Sequence, residues 1–189
     1  MKHILTAAAC LAGLATAAQA NEFEAAMQSY FDAHLSAWAT NPDFVAAIVA
    51  QNAQTGGYDQ GRIDELDVTW RAEVGSGQSS LVDGVMSNPA ADLLRQQVEA
   101  AGGAITEAFL MDANGLNVAA SHPTSDYWQG DEDKYQQTYL IGPEAVHYGD
   151  IELDESTQTV QGQISMTIRD ETGKAVGALT VGVNLTALM

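Results

Sequence analysis

Residues 124–139 read TSDYWQGDEDKYQQTY, two adjacent aromatics, a glycine, four acids and one lysine within sixteen positions. Folding alone does not require this mixture. Tyr127 and Trp128 each offer a broad apolar face with a polar tip, the chemistry that lines small-molecule pockets. On an extended chain the two rings point to opposite sides, so one can cover a core while the other faces a cavity. Lys134 follows Asp131-Glu132-Asp133 and either neutralises them locally or turns inward toward a ligand carboxylate. Trp70-Arg71 repeats the pairing, with a flat wall beside a planar donor fork suited to a carboxylate. Asp67, Glu73 and Asp126 compete for that guanidinium. Asp126 either binds a ligand ammonium or caps a turn. Ser121 and Tyr139 flank the stretch, and Asp154 stands downstream as a candidate amine contact. The candidate ligand-binding set is therefore Trp70, Arg71, Ser121, Asp126, Tyr127, Trp128, Lys134, Tyr139 and Asp154.

Other chemistry has less support. Asp131, Glu132, Asp133, Asp150, Glu152, Asp154 and Glu155 are hard oxygen donors of the kind calcium takes. The one segment that begins like a calcium loop, Asp112-Ala113-Asn114-Gly115, has its glycine too early and lacks the closing glutamate. It reads as a hairpin turn, and 131–133 as a solvated acidic turn, so no metal site is expected. G-x-S-x-G, H-E-x-x-H and phosphate-cradling glycine loops are absent. His34, His122 and His147 are scattered, and a hydrolase built on His122, His147 and Asp150 is the weakest reading. Neither a catalytic residue nor a cofactor is expected.

Elements must position these groups. Phe23, Met27, Phe31, Leu35 and Trp38 recur at helical spacing, and Asn41-Pro42 restarts a helix that carries Phe44, Val45, Ile48 and Val49. Residues 54–61 break it. Residues 62–74 read as a short helix or irregular connector, and 75–80 as a flexible link. Asn88-Pro89 opens a helix over 90–101 that Gly102-Gly103 ends. Strand-like alternation then takes over: 105–112 and 116–121 joined through Asn114-Gly115, then 146–155, 159–170 and 175–188. Residues 124–139 become the crossing between the second and third strands.

FLMDANGLNVAAS, TSDYWQGDEDKYQQTY and HYGDIELDESTQTVQGQISMTIRDETGKAVGALTVGVNL, in that order, resemble an extracellular Cache-type sensor domain of the single-module, PAS-related kind. LDVTWRAE, 66–73, is similar to that family's connector between helix and sheet. The resemblance implies an α+β fold in which a long N-terminal helix packs on a five-stranded antiparallel sheet. It also implies a small-molecule pocket between the sheet and the loops crossing its open face, and no catalysis. Ligands of such domains are organic acids, amino acids or amines, here expected to be a carboxylate or amino acid.

The chain opens MKHILTAAACLAGLATAAQA, a short basic start, an apolar run and a small-x-small site, the pattern of a signal peptide cleaved after Ala20. The expected division is therefore a leader, 1–20, and one domain, 21–189, exported to the periplasm or medium. Loss of Lys2 takes the formal net charge from -18 to -19, which disfavours nucleic acid and anionic membrane as partners. After Cys10 no cysteine follows, so no disulfide or thiol chemistry is available to the domain. A second apolar run of spanning length is lacking, so membrane insertion of the domain is not expected. The chain ends at Met189 directly after the last expected strand, so a separate membrane sensor or transporter is the expected recipient of the ligand or of the bound state. A homodimer through the N-terminal helix is the other expected partner. Calcium-binding or structural, dimerising roles are the alternatives.

Overall fold

The structure is a computed structural model that describes residues 22–76, 79–154 and 159–189; the proposed leader, 1–20, lies outside them. Residues 22–30 are α-helical and pass into a π turn, Phe31–Leu35, and a 3-10 turn, Ser36–Thr40; together they form α1. Asn41 ends that run and caps α2 (Pro42–Thr55), its Oδ1 accepting the amides of Asp43 at 2.9 Å and Phe44 at 3.3 Å. Proline at the first helical position costs no hydrogen bond there, so the expected restart is met. Asp59 caps α3 (Gln60–Glu73) through the amide of Arg62. The short helix or irregular connector read at 62–74 is thus a regular helix of 14 residues. A further helix not read from the sequence, α4 (Ser80–Met86), begins at the end of the supposed link. Asn88 caps α5 (Pro89–Ala100).

The strands are β1 (Ile105–Met111), β2 (Asn117–Ala120), β3 (Val146–Tyr148), β4 (Glu152–Asp154), β5 (Thr159–Arg169) and β6 (Ala175–Asn184). Between β2 and β3 lies a single helical turn, α6 (Asp133–Gln136), and after β6 a closing turn, α7 (Leu185–Leu188). The last strand therefore stops four residues short of the expected 188, where Asn184 caps the helical turn. The sheet is antiparallel in the order β2-β1-β6-β5-β3, and β4 also pairs with β5. The expected strand 146–155 is thus split: β3 and β4 share one edge position, interrupted at 149–151. Five positions hold the six described strands, and the α+β class read from the sequence stands.

Asn114-Gly115 turns the β1–β2 hairpin as expected, with Gly115 at φ +80. Asp112 organises that turn. It is fully buried; its Oδ1 accepts the amides of Asn114 and Leu116, and its Oδ2 accepts Thr55 Oγ1 at 2.7 Å and Gln51 Nε2 at 3.1 Å. Four donors satisfy a carboxylate that, among the described residues, has no cation beside it, and the two from α2 tie that helix to the sheet.

Period-two alternation gives the sheet two faces. Ile164, Met166 and Ile168 of β5, with Leu179, Val181 and Val183 of β6, pack against Met27, Leu35, Phe44, Ile48 and Leu94 from the helices. Gly162 lies on this side too, since a Cβ there would come 2.9 Å from Met27 Sδ. A second apolar cluster forms on the other face, where Phe109, Met111 and Ala178 meet Trp70, Tyr127 and Tyr135.

Candidate functional site

Cross-strand register brings four strands' polar residues into rows on the open face. One row runs His147, Ser165, Thr180, Phe109; the next holds Gln163, Gly182 and Glu107. Ser165 and Thr180 join their hydroxyls at 3.0 Å and are fully buried. They mark a boundary. On one side Phe109, Met111 and Ala178 are dry under the crossing segment. On the other, Glu107, Gln161, Gln163 and Gly182 floor an open cleft of about 630 Å³. His147, Gly149, Asp150 and Glu152 rim it along the split edge, and Asp131–Lys134 close it from the crossing segment.

The crossing segment is held by α3 and the hairpin turn. Asp67 Oδ1 accepts the amides of Tyr127 at 2.8 Å and Trp128 at 3.1 Å, and its Oδ2 binds Arg71. Arg71 Nε also reaches Asp126 Oδ1 at 2.7 Å. Trp70 Nε1 donates to the Thr124 carbonyl at 2.9 Å, and its ring stacks on Tyr127 at 5.5 Å. Trp128 Nε1 donates to the Asn114 carbonyl at 2.9 Å and Tyr135 Oη to the Ala113 carbonyl at 2.6 Å. Gly130 lies against the Trp128 indole and Gly115, where side chains would collide. Burial raises the phenol pKa values of Tyr127 and Tyr135 well above the usual range. The Asp112 carboxylate adds to both shifts, with Tyr139 also raising that of Tyr135.

The sequence-derived residues therefore fall into groups. Lys134 lines the cleft: its side chain is 16% exposed, its Nζ is 2.8 Å from Glu132 Oε2, and it lies over the Phe109 ring. Trp70 has no exposed surface and Tyr127 almost none; both belong to the second apolar cluster. Arg71 is 57% exposed and is engaged by Asp67 and Asp126, two of the competitors named for it. Asp126 thereby anchors the segment, its other carboxylate oxygen accepting Ser125 Oγ. Trp128 is half-buried, and Tyr139 stacks on Tyr135 at 5.4 Å. Ser121 is buried and accepts the amide of Ala108. The side chain of Asp154 lies outside the described residues. Asp131 and Asp133 are exposed and Glu132 is half-buried, in the segment read as a solvated acidic turn.

Glu107, Gln161, Gln163 and Gly182 were not singled out by sequence reasoning. The signal was present: Gln161, Gln163, Ser165 and Thr167 occupy every second position of β5, and Glu107 interrupts an apolar strand. A Cβ on Gly182 would come 2.7 Å from Glu107 Cγ, so the glycine lets that carboxylate lie across the floor. Gln163 Nε2 is 3.5 Å from Glu107 Oε1. Six carboxylates line the cleft, those of Glu107, Asp131, Glu132, Asp133, Asp150 and Glu152, against Lys134 and His147. Such a lining favours a ligand that carries an ammonium group. Among the described residues, no three His, Asp or Glu side chains are grouped to hold a metal ion, and no helix is long and apolar enough to cross a membrane.

No protein-family model and no curated protein sequence matches the chain. Among solved structures it is similar to the sensor domain of the V. cholerae histidine kinase DctB (14% identity, TM-score 0.48, 92% of this chain and 56% of that one). It is also similar to the ligand-binding domain of the Campylobacter jejuni chemoreceptor Tlp3 in complex with L-valine (12%, 0.42, 88% and 64%). A third is the ligand-binding domain of the Pseudomonas aeruginosa PAO1 amino acid chemoreceptor PctC in complex with GABA (16%, 0.41, 64% and 58%). The chain spans 56% to 64% of the length of these solved chains. In fold, this chain is similar to the sensor and ligand-binding domains of a histidine kinase and of chemoreceptors.

Proposed function

We propose that this chain is an exported, sensor-type domain that binds an amino acid or a related ammonium-bearing organic acid. The observation that carries this reading is the cleft between the polar half of the sheet's open face and Asp131–Lys134. The ligand ammonium lies against Glu107, and its carboxylate is directed to Lys134 and His147. Asp67, Trp70, Arg71, Asp126, Tyr127 and Trp128 then act at one remove, fixing the segment that carries Lys134. The chain hands its ligand, or its bound state, to a separate signalling or transport partner, and catalyses no reaction. Export rests on the leader-like residues 1–20.

A thermal-shift panel of amino acids, amines, dicarboxylates and calcium, read on the full chain and on Glu107→Gln, tests the proposal. A saturable shift with an amino acid that weakens about tenfold or more in Glu107→Gln supports it, since a charge-assisted hydrogen bond is lost. Response to calcium alone, or to no solute, overturns it.

A further inference from the structure

Among the described residues, Lys134 is the one lysine or arginine that lines the cleft. Its ammonium carries three donors and no acceptor. Nζ lies 2.8 Å from Glu132 Oε2, 3.4 Å from Gln129 Oε1 and 5.6 Å from the centre of the Phe109 ring. Two oxygens and one aromatic face thus match the three donors.

These partners are not equally fixed. Phe109 is 2% exposed on β1, and Gln129 is 1% exposed. Gln129 Nε2 donates to the Asp126 carbonyl at 2.8 Å, which turns Oε1 toward Lys134. Asp126 is itself tied to α3 through Arg71. Glu132 differs. Its side chain is 39% exposed and makes no cap bond to α6, the turn that it precedes, so rotation toward solvent can release it. A carboxylate on Lys134 is also what a bound amino acid would supply, and Glu132 already supplies it.

We propose, on the amino-acid reading of the cleft on which this rests, that Glu132 is a specificity-determining residue: an internal carboxylate that a ligand carboxylate must displace from Lys134. An amino acid gains Lys134 only in exchange for Glu132, one charged pair for another of the same kind. Its carboxylate therefore adds little net affinity. An amine without a carboxylate leaves the pair intact and still meets Glu107. The cleft thus separates amino acids from the corresponding amines less than a lysine without Glu132 would, and Glu132 sets that ratio.

The test pairs each amino acid with the amine left by loss of its carboxylate, alanine with ethylamine and valine with isobutylamine among them. Each is titrated by calorimetry into the full chain, Glu132→Gln and Asp131→Asn. Glu132→Gln keeps the shape and removes the charge. It is expected to tighten an amino acid about threefold to fivefold, the worth of a partly exposed ion pair, while the matched amine binds no tighter than before. A zwitterion bears no net charge, so loss of a remote anion alone leaves its affinity nearly level. An equal gain in Asp131→Asn, which takes the same charge from the same segment, therefore overturns the proposal. Amino-acid binding that is unchanged or weaker in Glu132→Gln, or a gain shared equally by the amine, overturns it and leaves the amino-acid reading standing. Absence of amino-acid binding to all three proteins overturns both. Circular dichroism establishes folding, and Glu132→Ala, read by the same outcomes, replaces Glu132→Gln should that variant not fold.

Discussion

The side chain of Glu107 lies across Gly182, its Cγ 2.7 Å from where a Cβ on the glycine would stand. Two neighbouring strands thus cooperate: β6 omits a side chain so that β1 can lay a carboxylate on the floor of the cleft. Gly182→Ala should displace Glu107 and cost about 1–3 kcal/mol of stability, as overpacking does. Ligand affinity should fall with it, as in Glu107→Gln. Urea unfolding and ligand titration measure the two effects, and unchanged affinity in Gly182→Ala would remove Glu107 from the site.

Asp67 holds the crossing segment from outside the cleft. Asp67→Ala leaves the amides of Tyr127 and Trp128 unpaired and releases Arg71, at an expected cost of about 1.5–3 kcal/mol. Amide exchange across 124–134 should quicken more than in β5 and β6. Uniform loss of protection throughout the chain would instead mean that Asp67 contributes only to global stability.

The hairpin turn is sensitive at one position. Gly115 combines φ +80 with backbone contact to Gly130, its ideal Cβ lying 2.7 Å from Gly130 Cα. Gly115→Ala meets both a left-handed backbone penalty and a clash with atoms that cannot rotate away. A loss of at least about 2 kcal/mol is expected in chemical denaturation. A loss under about 0.5 kcal/mol would show that the two turns separate readily.

Alkaline pH should unfold the domain through its phenols. The folded-state pKa values of Tyr127 and Tyr135 lie above the ordinary 10.0, mainly from burial. Their neutral forms are favoured in the fold, so their contribution is fully present below pH 10. It is lost as pH rises above that value, by about 1.4 kcal/mol per pH unit for each phenol. Urea midpoints between pH 9 and 11.5 measure the slope, and Tyr135→Phe should reduce it; an unchanged slope would place the alkaline loss elsewhere.

Much of the frame was legible because local chemistry decides it. Asn41-Pro42 and Asn88-Pro89 start helices, and Asn114-Gly115 turns a hairpin, for reasons contained within four residues. The helix at Gln60–Glu73 was harder to read: its polar, Gly-containing first turn conceals the inward face of Ile63, Asp67 and Trp70. The site itself depends on register. That Glu107 faces Gly182, and Gly182 faces Gln163, follows from two separate strand pairings and a bulge between Ile105 and Glu107. No spacing within one strand fixes that. The aromatic-rich segment drew notice as a site by composition, and most of its large side chains instead hold it down on the sheet.

The split edge strand has a further effect. β3 and β4 are three residues each, and the break at 149–151 carries the exposed Asp150. An uninterrupted edge offers a row of free amides and carbonyls on which another chain can build a strand. Here that row is too short and too charged to serve as a template. The residues that rim the cleft therefore also guard the sheet's open flank against strand addition and aggregation.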